Sequence, residues 1–173
     1  MTKKRIVYVV LIALIVGIWS LTSCKKDDTA GGTDKELYDM SKSSFGFIWY
    51  KNADSLFERS SGSGHAQPFL KTRYNSIAAA KLDVDGKVID GVIFPEGSLI
   101  VKELYEDSTS IVRYAILYKK PNNPDADDKG WVWGYINADG TVAEPASNKG
   151  SACISCHLQS ENIDYTLMNK FFP

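Results

Sequence analysis

Sulfur and imidazole are scarce in this chain, which has three cysteines and two histidines among 173 residues. Two of the cysteines and one histidine stand together as Cys153-Ile154-Ser155-Cys156-His157, so that only Cys24 and His65 remain elsewhere as donors of those kinds. A closed structural zinc site takes about four ligands and is poorly supplied by such a set. Charge of one sign is also short. The whole chain carries 20 basic and 21 acidic residues, and setting aside residues 1–23 leaves 17 against 21, a net of −4. A nucleic-acid partner calls for a concentrated basic face, which this balance does not offer.

The cluster that remains has a specific spacing. Two thiols separated by two residues, with a histidine directly after the second, is the pattern of c-type haem attachment. Cys153 and Cys156 would each add across a haem vinyl group, and His157 would serve as the axial ligand of the iron. A thioredoxin-like dithiol also has the CxxC spacing. It belongs between a strand and a helix in an α/β pattern, whereas this pair follows a strand-rich half and sits close to the C-terminus, and redox chemistry alone would not require His157.

The N-terminus supplies the compartment. Lys3, Lys4 and Arg5 precede an apolar run from Ile6 to Leu21, and Leu21-Thr22-Ser23-Cys24 resembles a lipobox. The run reads either as a lipoprotein signal peptide over residues 1–23, leaving lipid on Cys24, or as an uncleaved membrane anchor. Both place the domain in the cell envelope outside the cytoplasm, on the periplasmic side or at the cell surface, with membrane contact through the anchor. With one cysteine assigned to lipid and two to haem, none remains for a disulfide. Residues 24–32 are charged or small and predict a flexible tether, and residues 33–173 are enough for one domain.

Within that domain the pattern predicts an α+β fold: a predominantly antiparallel β-sheet packed with helices. Thr33 and Glu36 fit a capping box for a helix to about Lys42. Strands are expected over Phe45–Lys51, Phe69–Tyr74, Ser98–Glu106, Ile111–Lys119 and Trp131–Ile136. Asn75 is placed to cap a short helix over Ser76–Lys81. Turns are marked by Asp85-Gly86, by Phe94-Pro95-Glu96-Gly97 and by Asn137-Ala138-Asp139-Gly140, and residues 121–130 form a loop. Ile163, Leu167 and Phe171, four apart, predict one helical face over Leu158–Phe171.

Several side chains are singled out by position. Alternation along Ser98–Glu106 puts Lys102 between Ile100 and Leu104 on an inward face. A buried ammonium must snorkel, lose its proton or find chemistry to do, and the pattern leaves those three open. Trp131, Trp133 and Tyr135 share a face and read as core or haem wall ahead of a partner-binding stripe. His65, beyond the Ser60–Gly64 loop, is either a hydrogen-bonded loop residue or a group beside the haem. With Met40 and Met168 it completes the available sixth ligands, none in a recognisable ligand context, so that an open iron is favoured. Glu161, four residues after His157, reads as a surface carboxylate on pattern alone.

The ordered set Phe94-Pro95-Glu96-Gly97-Ser98, Val101-Lys102-Glu103, the tryptophan strand ending at Asp139-Gly140, and CxxCH followed by Asp164-Tyr165 resembles the cytochrome P-460 family and its relative cytochrome c′-beta, over about residues 65–171. That resemblance implies one haem c per chain, five-coordinate at rest, in an antiparallel-sheet domain that is often a homodimer. It implies a covalent bond from Lys102 to the haem ring in members that oxidise hydroxylamine, and nitric oxide binding without oxidation in the c′-beta members. It also implies a distal carboxylate that accepts protons, for which Glu161 is the candidate and Gln159 occupies part of the same stretch. The activity expected is hydroxylamine oxidation or nitric oxide chemistry on a small nitrogen compound, with electrons passing to an unspecified redox partner. The alternative is a non-catalytic binder or an electron-transfer cytochrome.

Overall fold

A computed structural model describes residues 29–173. The signal segment over residues 1–23, the lipidation candidate Cys24 and the first part of the tether lie outside the described residues. The later tether residues do not hang free. Thr29 bridges Thr141, and the Ala30 N–H donates to the Gly140 carbonyl at 2.9 Å.

The architecture is one seven-stranded antiparallel sheet with short helices, an α+β fold. In chain order the elements are α1 (Gly32–Ser41), β1 (Ile48–Trp49), β2 (Phe57–Glu58), β3 (Phe69–Tyr74), α2 (Ser76–Ala79), β4 (Leu99–Tyr105), β5 (Ile111–Lys119), β6 (Trp131–Asn137), β7 (Val142–Glu144), α3 (Ile154–His157) and α4 (Met168–Phe171). The sheet runs β1-β3-β4-β5-β6-β7, with β2 also paired to β3. The apolar and aromatic runs from β3 to β6 thus become consecutive neighbours, which needs only short connections.

Period-two alternation sorts the side chains into two cores. Leu99, Val101, Ile116, Val132 and Ile136 pack with Leu37 of α1 on one face. Leu70, Tyr74, Ile100, Leu104, Leu117, Trp131 and Trp133 pack on the other with Ile163, Tyr165 and Met168 of the C-terminal segment. The predicted sharing of a face by Trp131, Trp133 and Tyr135 is found, as is the Asn75 cap, whose side chain accepts from the Ala78 N–H at 2.9 Å.

Three expectations are corrected. The capping box does not form: α1 begins after Gly31 with no side-chain cap, Thr33 Oγ1 donates to Asp125 at 2.6 Å, and Glu36 pairs with Lys120 at 2.8 Å. Long-range partners have taken both groups. The Phe45–Lys51 strand shrinks to Ile48–Trp49, because Lys51 and Asn52 have positive φ and turn the chain away. The helix over Leu158–Phe171 is replaced by turns and the four-residue α4. Glu161, Asp164 and Tyr165 all have positive φ, and Asn162 Nδ2 donates to the His157 carbonyl instead of continuing a helix. Ile163 and Leu167 are buried all the same; the spacing located the apolar residues without fixing the backbone.

Candidate functional site

Strand register lays out the floor of the site. Thr72 of β3, Lys102 of β4, Ala115 of β5, Tyr135 of β6 and Glu144 of β7 are successive cross-strand partners, so they form one row across the sheet. Side chains in such a row stand about 5 Å apart on one face. Its neighbouring row contains Tyr74, Ile100, Leu117 and Trp133. Both rows line a cavity of about 460 Å³, a size suited to a cofactor. Small Ala115 between Lys102 and Tyr135 keeps the floor open.

The far wall comes from the residues around the CxxCH cluster. Cys153, Cys156 and His157 line the cavity, and both cysteines are free thiols. Gly150, with φ of 70°, sets the chain against the sheet here: a Cβ on it would lie 2.6 Å from the Trp133 ring. Only glycine allows both that backbone angle and that approach. Trp133 in turn meets the His157 ring edge-on, at 5.1 Å between centroids.

His157 is set up as a ligand. Its Nδ1 lies 2.6 Å from the Tyr165 carbonyl oxygen. A carbonyl only accepts, so Nδ1 carries the proton and Nε2 presents its lone pair. Burial, opposed by that hydrogen bond and reinforced by the charge of Lys102, pulls the imidazole down to about 4. It is therefore neutral near pH 7, as metal ligation requires. Burial pushes the Cys153 thiol up, with further contributions from Glu144 and Cys156.

The remaining candidates divide. Lys102 lines the cavity, and desolvation lowers its amine to about 8; among the described residues it has no ion-pair partner. His65 also lines the cavity, with Nδ1 3.4 Å from the Tyr135 hydroxyl. Burial first, then the charges of Lys102, His157 and Arg113, bring it down to about 2, so it is a neutral group in the wall. Met168 is there too, its sulfur accepting from Thr72 Oγ1 at 3.3 Å. Met40 packs against the opposite core and is not in the site. Gln159 reaches the cavity wall, whereas Glu161 is exposed and lies outside it. The carboxylate that does line the cavity is Glu144.

Sequence reasoning missed Glu144, Arg113 and the Tyr165 carbonyl. Arg113 could have been found, since it shares the parity of Ala115 and Leu117 in β5. A backbone carbonyl leaves no signal in a sequence.

The donor set fits a haem. Two unpaired thiols and a neutral imidazole with Nε2 available stand on one wall, the cations Lys102 and Arg113 line the same space, and the buried Tyr74 hydroxyl of the same lining has no hydrogen-bond partner among the described residues. Fold and site define the class: an antiparallel-sheet domain with one face opened to receive a cofactor. The family model of cytochrome P460 matches residues 50–168, more than half of the chain, and the chain belongs to the cytochrome P460 family. Haem is accordingly its cofactor. No curated protein matches the chain.

Proposed function

We propose that this is a lipid-anchored c-type haem protein of the cell envelope that acts on small nitrogen compounds, with hydroxylamine oxidation as its reaction. Cys153 and Cys156 would hold a single haem through thioether bonds, His157 would bind its iron through Nε2, and Cys24 would carry the lipid. The observation that carries this reading is the ligation-ready His157, its Nδ1 committed to the Tyr165 carbonyl, beside two free thiols on a cavity of about 460 Å³.

The haem supplies the site for ligand coordination and for electron loss to an external acceptor. The chain's residues do the rest. Apolar groups such as Ile100 and Leu117 limit water in the cavity, which strengthens each polar contact inside it. Oxidation of a neutral ligand is uphill until its protons are shed, so a nearby base is needed. Glu144, held from Asn148 Nδ2 by a 2.8 Å hydrogen bond, is the carboxylate available on the cavity wall. Glu161 would have to move to serve that role. Lys102, brought towards its neutral, nucleophilic form by desolvation, is the residue that would bond to the haem ring, an N–H and a ring C–H each giving up a proton while two electrons pass to the external acceptor.

The displacement of Glu161 from the cavity favours a second reading, nitric oxide binding without turnover. Holoprotein matured in a host with haem-ligation machinery separates the two. Haem retained in the intact mass under denaturing conditions, together with hydroxylamine-dependent reduction of an artificial acceptor, supports the oxidase. Covalent haem that binds nitric oxide but gives no turnover leaves the binder. Colourless protein overturns both.

A further inference from the structure

The carbonyl that orients His157 belongs to a turn that the sequence does not favour. The Ile163 N–H donates to the Thr166 carbonyl at 3.0 Å and the Thr166 N–H to the Ile163 carbonyl at 2.8 Å, closing a two-residue hairpin over Asp164 and Tyr165. Both central residues have positive φ, 44° and 69°, the sign pattern of a type I′ turn, which prefers Asn, Asp or Gly at both positions. Aspartate suits the first. A bulky tyrosine at the second is a strained choice that the surroundings must hold in place.

What holds it is the Asp164 side chain, only 5% exposed. Its carboxylate accepts from the Phe94 N–H at 2.9 Å, from Trp131 Nε1 at 3.2 Å and from Lys119 Nζ at 3.1 Å. Those donors come from the chain before β4, from β6 and from the end of β5. The turn is thereby pinned to three separate parts of the sheet layer, one residue before the carbonyl that receives the His157 proton.

We propose that Asp164 is a positioning residue for the axial histidine: through the pinned turn it fixes the hydrogen bond from His157 Nδ1 to the Tyr165 carbonyl, and so sets how strongly Nε2 donates to the haem iron. A strong hydrogen bond at Nδ1 makes the imidazole a better donor. Better donation favours the ferric state and lowers the reduction potential, one of the protein's levers on a haem. Asp164 does not line the cavity, and the inference rests on the haem reading above.

The test uses full-length holoprotein in wild-type, Asp164→Asn, Asp164→Ala and Lys119→Met forms, with Asp54→Asn as a surface control. The ferrous iron–histidine stretching frequency and the reduction potential are measured on haem-loaded protein. Asp164→Ala is expected to lower the frequency and raise the potential. Asp164→Asn, which tolerates positive φ and keeps an acceptor oxygen, is expected to shift both less, and Asp54→Asn neither. Where Asp164→Ala does not accumulate, Lys119→Met reads the same effect, because it removes one pin and leaves the turn residues intact. Haem-loaded variants whose frequency and potential match the wild type overturn the inference alone. A wild type without haem overturns the reading beneath it.

Discussion

Lys102 and Glu103 are adjacent on β4, yet the two faces of the sheet treat their charges in opposite ways. Glu103 points to the α1 face, where it receives Arg73 Nε at 2.9 Å and the Tyr105 hydroxyl at 2.7 Å. Arg73 also donates to the Ser43 carbonyl at 2.8 Å and to that of Ser41, and its guanidinium packs over Phe47. Arg73 and Glu103 are thus buried charges with their hydrogen-bonding groups engaged. One residue earlier, Lys102 faces a cavity with no ion-pair partner among the described residues. A charge that is buried and satisfied secures a fold, while one that is enclosed and unsatisfied is chemistry held in reserve. The difference locates function on the cavity face without reference to any motif.

The largest expected effects fall on the cavity face and are read as haem rather than stability. On the function proposed above, a Cys153→Ala, Cys156→Ala variant is expected to lose haem held through thioethers. Any haem that still survives denaturation should disappear when Lys102→Ala is added, as seen in the intact mass. Haem persisting in that triple variant would show attachment elsewhere and break the comparison.

On the α1 face the effects are purely energetic. Arg73→Met leaves Glu103 buried without its partner and should cost about 3–5 kcal/mol in denaturant unfolding. Replacing both residues with apolar ones should cost much less. A smaller loss is expected from Gly134→Ala, whose added Cβ would lie 2.9 Å from Leu37 Cδ1 and 3.3 Å from Ile116; overpacking of this kind costs about 1–3 kcal/mol. Haem content should be unaffected by Arg73→Met, whereas Gly134 also borders the cavity. Loss of haem from folded Arg73→Met would mean that the faces are coupled.

The same contrast explains what could be read in advance. Alternation along β4 and β6 depends on local pattern, and it correctly grouped Lys102 with Ile100 and Leu104 and, separately, Trp131 with Trp133 and Tyr135; that both groups lie on the same face of the sheet needed the register through β5. CxxCH is a pattern of consecutive residues that needs no tertiary information to be noticed, and the fold brings its two thiols and its imidazole to one cavity. The failures lie where distant partners override local preference. Thr33 looks like a helix cap until Asp125 is seen to claim its hydroxyl. Ile163, Leu167 and Phe171 suggest a helix until Asp164 is seen pinned from Phe94, Lys119 and Trp131. Glu161 and Glu144 could not be ranked from spacing, because the turns after His157 carry Glu161 outward while the β6–β7 register carries Glu144 into the cavity row.

The most direct measure of the contrast is the pH dependence contributed by Lys102. Desolvation lowers its amine from the ordinary 10.5 to about 8. Between those two values the unfolded chain holds a proton that the folded chain has released, so folding stability from this group rises as pH increases through that window. Below pH 8 both states are protonated, and the folded state bears the full cost of enclosing the charge. Buried tyrosines act in the opposite direction: Tyr50, pushed up to about 12 by burial and then by Asp83, loses stability as pH climbs past the ordinary tyrosine value. The difference between the Cys153→Ala, Cys156→Ala chain prepared without haem and the same chain carrying Lys102→Met cancels the tyrosine contribution. That difference should favour the methionine variant below pH 8 and shrink steadily towards pH 10.5 in urea unfolding. A flat difference would mean that the amine is solvated through the cavity mouth, and Lys102 would then be no less satisfied than Arg73.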